Sequence, residues 1–221
     1  MVDSYSGMDE QALRKLIRKV KPQAFICSSV AAEAPLWLNH MIDQQQNYMT
    51  LNTGTKLPFD NLYQSPSTLG ADRIAAVAGS ISLLPGKRVL AIDCGSCITY
   101  DLVDERKEYY GGSISPGLQM RCRAMHTFTA RLPLVRITEQ DNINLRAAST
   151  HEALQSGALY GTVAEITQMI RMYADKYGAL QVIISGGDAQ LLSKEVKVPH
   201  RAVPELIFVG LNSILEYNVN V

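Results

Sequence analysis

The run Val89-Leu90-Ala91-Ile92-Asp93 constrains the fold of this chain more than any other stretch. It is apolar at both odd and even positions until its final acid, and it is bounded by Pro85-Gly86 before and Cys94-Gly95-Ser96 after. That pattern predicts a strand buried on both faces, which needs a sheet with covering layers above and below. Ile98 to Val103 and Tyr109 to Ile114 predict two further strands, so a three-strand meander forms the centre. A helix from near Leu69 to about Leu84 precedes it, and a helix over Leu118 to His126 follows. Leu159, Val163, Ile166 and Ile170 recur every three or four residues and predict one long helix within Leu145 to Tyr177, stopped by Gly178. Gln181 to Ser185 then reads as a strand, Gly186-Gly187-Asp188 as a turn, and Glu205 to Tyr217 as a closing helix.

The first part of the chain shows the same alternation in shorter pieces. Leu13, Leu16, Ile17 and Val20 share one face of a helix from about Asp9, with Arg14, Lys15, Arg18 and Lys19 opposite, and Pro22 ends it. A strand at Ala24 to Ser28, a helix around Pro35 to Asp43 and a strand at Tyr48 to Leu51 follow. Asn52 to Ser67, with Gly54, Pro58, Asp60, Asn61 and Pro66, reads as a linker. The expected class is α/β.

Charge and composition narrow the partners. Lysine plus arginine, 21, balances aspartate plus glutamate, 21, so no global field attracts nucleic acid or an anionic membrane. Apolar stretches are far shorter than a membrane span, and Met1-Val2-Asp3-Ser4 opens no signal peptide, so a cytoplasmic location is expected. Cys27, Cys94, Cys97 and Cys122 form no regular framework and are read as reduced thiols. Cys94-Gly-Ser-Cys97 has the spacing of a redox pair or half a zinc site, but no second pair stands at ligand spacing. His40, His126, His151 and His200 lie in separate segments and are not placed in a site.

Several motifs carry chemistry. Asp93-Cys94-Gly95-Ser96 ends an apolar strand in a small-residue turn, where glycine permits close approach of phosphate, a hydroxyl can bond it and a carboxylate can hold a cation. A strand-end aspartate capping a hairpin turn explains the same residues. Leu69-Gly70-Ala71-Asp72-Arg73 starts a helix, where an acid in the first turn is favoured by the dipole alone. In the functional reading Asp72 takes a proton from a substrate hydroxyl, Arg73 pairs with a substrate carboxylate, and Tyr63 closes over the substrate. Ser149 and Glu152 have capping-box spacing, which leaves Thr150 in the first turn able to face a ligand. Ser185-Gly186-Gly187-Asp188 is a second glycine turn suited to the adenosine side of a nucleotide. No Walker A sequence and no GxGxxG occur.

In order, LGADR, AIDCGSCIT, YYGGSISPG, TARLP, THEALQSGALYG, ISGGD and PELIFVGL resemble type III pantothenate kinase, covering Tyr63 to Leu211. The resemblance implies the duplicated ribonuclease-H-like fold of the acetate and sugar kinase, heat-shock protein 70 and actin superfamily. Residues 1–68 would be the remainder of the first such domain, truncated at its N-terminus, and 69–221 the second. It implies transfer of the ATP γ-phosphate to pantothenate, giving 4'-phosphopantothenate in the first step of coenzyme A synthesis. Asp72 would be the proton acceptor, Tyr63, Gly70, Ala71, Asp72, Arg73 and Thr150 would hold pantothenate, Ser96 would touch ATP, and Asp93 would coordinate potassium or ammonium. Magnesium with ATP and a homodimer with pantothenate near the subunit boundary are implied too. The family opens with an Asp-x-Gly-Asn-Thr phosphate loop that does not occur in this sequence, so a start upstream of Met1 is expected. The alternative reading is a non-catalytic accessory or regulatory relative of the same fold.

Overall fold

Alternation along the central strand decides the layering. In the computed structural model, which describes residues 10–28 and 48–219, strand β4 spans Val89–Cys94. Its Leu90, Ile92 and Cys94 enter one apolar cluster, and its Val89 and Ala91 enter another on the opposite face. Both faces are covered, as the unbroken apolar run requires.

β5 (Cys97–Val103) and β6 (Glu108–Pro116) continue β4 as an antiparallel meander. On the other side of β4 lie β7 (Gln181–Ser185) and β8 (Arg201–Ala202), both parallel. The two-residue strand β3 (Asp60–Asn61) pairs with the start of β6, giving the sheet order β3-β6-β5-β4-β7-β8. A three-strand meander extended by two parallel strands, with helices on both faces, is the ribonuclease-H-like arrangement. A separate parallel pair, β1 (Phe25–Cys27) with β2 (Tyr48–Thr50), follows helix α1 (Glu10–Val20). The helix expected around Pro35 to Asp43 lies outside the described residues.

Helices α2 (Ala71–Leu83) and α6 (Leu206–Val219) cover the Val89 face. They approach closely: a Cβ on Gly210 would lie 1.7 Å from the Ala75 carbonyl oxygen, and one on Gly79 would lie 2.5 Å from that of Leu206. This crossing fixes the axis of α2, whose first turn carries Asp72 and Arg73. Leu51 and Phe59 bury in the same cluster, so the core is continuous across residue 68.

The Ile92 face is covered by α3 (Leu118–Thr127), α4 (Thr150–Tyr177) and α5 (Ala189–Glu195). Ser149 caps α4 by accepting the Glu152 amide at 3.3 Å, and the Glu152 carboxylate reaches back to the Ala148 amide at 3.0 Å. Gly178 ends the helix at φ 84°, a left-handed conformation that suits glycine. α4 is pinned to the meander through Glu165, which accepts hydrogen bonds from Tyr100 at 2.8 Å and Ser115 at 2.5 Å and pairs with Arg121.

Candidate active site

Three backbone turns meet at the carboxyl ends of β4 and β7. The Gly95 amide donates to the Cys97 carbonyl at 3.0 Å, the Gly117 amide to the Ser96 carbonyl at 3.1 Å, and the Asp188 amide to the Cys94 carbonyl at 2.9 Å. Two of the glycines there leave no room for a side chain. A Cβ on Gly117 would lie 2.2 Å from the Gly95 carbonyl oxygen, and one on Gly186, at φ +92°, would lie 2.6 Å from that of Cys94. Gly117 caps α3 and Gly70 caps α2, neither with a side-chain cap, so both first turns keep amides able to serve an anion.

Asp93 stands at this junction and accepts a hydrogen bond from the Ser185 hydroxyl at 2.9 Å. Burial pushes its carboxyl above the usual range; the Ser185 bond opposes that shift, and the nearby Asp72 and Asp101 charges add to it. Thr99, its register partner on β5, is 7% exposed, and its hydroxyl has no hydrogen-bond partner among the described residues. Asp188, in the Gly186-Gly187-Asp188 turn, also has its carboxyl raised by burial. Ser96 lies exposed at the tip of the hairpin turn.

Asp72 is half-buried in the first turn of α2, and its Oδ1 accepts the Arg73 amide at 2.9 Å. A Cβ on Gly70 would lie 2.3 Å from that same oxygen, so glycine is needed for the carboxylate to occupy this position. Gly70 and Ala71 also border a cavity of about 260 Å³ whose walls include Leu51, Asn52, Pro66 and Ile74.

Arg73 has a partner within the chain. It is 5% exposed and bonds Asp101, which is fully buried, through Nε at 3.0 and 3.2 Å and through Nη2 at 2.5 Å. A buried guanidinium without such a partner would be strongly destabilising. Burial lowers the Arg73 pKa, but the Asp101 contacts outweigh that and hold it protonated. Tyr109 donates to the same carboxylate at 2.7 Å. Tyr63 stacks on Tyr109 with ring centres 6.2 Å apart, and the Arg73 guanidinium carbon lies 5.4 Å from the Tyr63 ring centre.

Tyr63, Gly70, Ala71, Asp72, Arg73 and Asp93 therefore share one region of the sheet. Thr150 does not join them within a single chain: it is exposed at the start of α4, a helix on the opposite face from α2. Cys94 and Cys97 are free thiols, and burial pushes the Cys94 thiol well up, which removes thiolate chemistry there. Among the described residues no group of His, Cys, Asp and Glu is arranged to hold a metal ion by itself. Asp101, Tyr109, Thr99 and the Ser185 to Asp93 bond were not anticipated from sequence. The signal was present in Cys97-Ile-Thr-Tyr-Asp-Leu-Val103, where an acid inside an apolar strand requires a buried partner.

The family model and the sequence relatives agree on one family. The family model described as type III pantothenate kinase matches residues 2–172. A type III pantothenate kinase of Christiangramia forsetii is 43% identical over 181 residues, which is 82% of this chain and 74% of that protein. That of Flavobacterium johnsoniae is 33% identical over 222 residues, covering 98% of this chain and 89% of the relative. Among solved structures, a Campylobacter jejuni protein described as a Baf family transcriptional activator superposes with a TM-score of 0.57 at 25% identity, covering 95% of this chain and 89% of that one. The chain belongs to the type III pantothenate kinase family.

Proposed function

We propose that this chain transfers the γ-phosphoryl group of ATP to the hydroxyl of pantothenate, forming 4'-phosphopantothenate for coenzyme A synthesis. The observation that carries the reading is Asp72 in the first turn of α2, near enough to Asp93 at the end of β4 for its charge to act there, in a chain of this family. Phosphoryl transfer needs little covalent help from the protein; it needs a positioned hydroxyl, a base and charge compensation for the phosphates. Asp72 is the base, and Tyr63, Gly70, Ala71 and Arg73 form the acceptor pocket around it. The uncapped first turn of α3 and the Ser96 hydroxyl serve the nucleotide phosphates.

The residues fit a bound monovalent cation. Asp93 offers a half-buried carboxylate that feels the charge of Asp72, and its register partner Thr99 carries a hydroxyl with no hydrogen-bond partner among the described residues. Potassium or ammonium held by Asp93 would offset charge next to the phosphates. Magnesium would arrive with ATP, since it keeps most of its ligands from phosphate and water.

The acceptor site is completed by a second copy of the chain. Thr150 is exposed on the face opposite α2, so it meets pantothenate only across a subunit boundary, as a homodimer allows. A cytoplasmic location is part of the same reading, and no described helix is long and apolar enough to cross a membrane.

A substrate panel tests the assignment. Incubation with ATP, magnesium and potassium should phosphorylate pantothenate and leave acetate and simple hexoses unreacted. Preferred turnover of acetate or a hexose would move the chain's chemistry elsewhere in the superfamily.

A further inference from the structure

Tyr63 is the aromatic wall of the acceptor pocket, yet its own backbone anchoring is slight. It follows the two-residue strand β3, and its amide bonds only the nearby Asn61 side chain, at 3.2 Å. Its ring is instead placed by three neighbours. Arg73 sits over one part of it, Tyr109 stacks along it, and Gly111 lies against its edge, where a Cβ would come within 2.7 Å of the ring. Two of these three, Arg73 and Tyr109, are held by one carboxylate. Asp101 takes the Arg73 fork on both oxygens and the Tyr109 hydroxyl on Oδ1. Phe59 closes the stack by meeting Tyr109 edge-on, with centroids 6.0 Å apart.

A buried ion pair seldom adds net stability over an apolar substitute, so its presence here calls for a geometric reason. The Arg73 backbone also carries the amide bonded to Asp72. Fixing the guanidinium therefore fixes the ring on one side and the base on the other. We propose that Asp101 is a positioning residue for the acceptor substrate, acting through Arg73 and Tyr109 to hold the Tyr63 ring and the Asp72 carboxylate in register. The inference rests on the pantothenate reading of the site.

Asp101 faces the acceptor side of the sheet, so its loss should be felt by pantothenate and not by ATP. The test compares steady-state KM for each substrate in wild type, Asp101→Asn and Tyr109→Phe, with Tm measured alongside. Asp101→Asn should raise KM for pantothenate about tenfold, the effect of a lost hydrogen bond to a charged group. Tyr109→Phe should raise it about threefold, because only one of the carboxylate's donors is removed. KM for ATP should stay within about twofold in both. If Asp101→Asn does not fold, Tyr109→Phe decides alone. An unchanged pantothenate KM, or a parallel rise in both KM values, would overturn the positioning role. Wild type that phosphorylates no pantothenate would overturn the functional reading itself, and the inference with it.

Discussion

Ser185, the last residue of β7, donates a 2.9 Å hydrogen bond to the carboxylate of Asp93 near the end of β4. The bond ties two parallel strands at the end of the sheet where the glycine turns meet. Asp93 still has a raised pKa, chiefly through burial, with the Ser185 bond opposing and the Asp72 and Asp101 charges adding to it.

The sign of that shift gives the first prediction. A carboxyl raised in the folded state contributes stability below the ordinary carboxylate range and loses it as pH rises through the raised value. Once ionised, Asp93 is therefore a destabilising charge, which the proposed cation would relieve. Potassium chloride should raise Tm relative to choline chloride of equal ionic strength near pH 7, and less so near pH 4, where ordinary carboxylates begin to protonate. Asp93→Asn should lose the difference, and equal potassium effects in wild type and variant would count against a cation at Asp93.

The crossing of α2 and α6 gives a second, independent of ligands. Gly210→Ala places a methyl group where the Ala75 carbonyl stands, and neither helix backbone can yield without moving α2. The substitution should cost about 1–3 kcal/mol, as overpacking does. Thermal unfolding should show Tm lowered by several degrees, and turnover should fall because Asp72 moves with the helix. A variant as stable as wild type would mean that the two helices are less closely seated than the structure shows.

Glu165 gives a third. Burial raises its carboxyl, but the bonds from Ser115, Arg121 and Tyr100 outweigh that and hold it below its usual value. Such a group stabilises the fold above the ordinary carboxylate range, and the contribution is lost as pH falls through the lowered value. Glu165→Gln should therefore melt about 2–4 °C lower at neutral pH, a modest shift suited to a partly solvated pair. The gap should close on acidification; a gap that persists at the acid end would assign the loss to packing.

Much of this architecture is legible in residue order. The apolar run at Val89, the meander behind it, the long helix ended by Gly178 and the strand at Gln181 are all strongly periodic, and each appears within a few residues of its expected bounds. Strands β3 and β8 were not expected because two residues carry no alternation, and α5 because fewer than two helical turns show no face. Asp72 and Asp93 were legible as helix-start and strand-end acids respectively. The commitment of Arg73 to Asp101 was not, since it depends on β5 register and on α2 lying across that face, which only tertiary packing supplies.

In the proposed reaction Asp72 accepts the proton of a pantothenate hydroxyl as the γ-phosphoryl group of ATP is transferred. The measurement that tests it most directly is transfer of label from γ-labelled ATP to pantothenate, comparing wild type with Asp72→Asn at saturating substrates. The account predicts potassium-stimulated product formation by wild type and a loss of about 10²-fold or more in kcat for the variant. Near-equal kcat in the two proteins would contradict it.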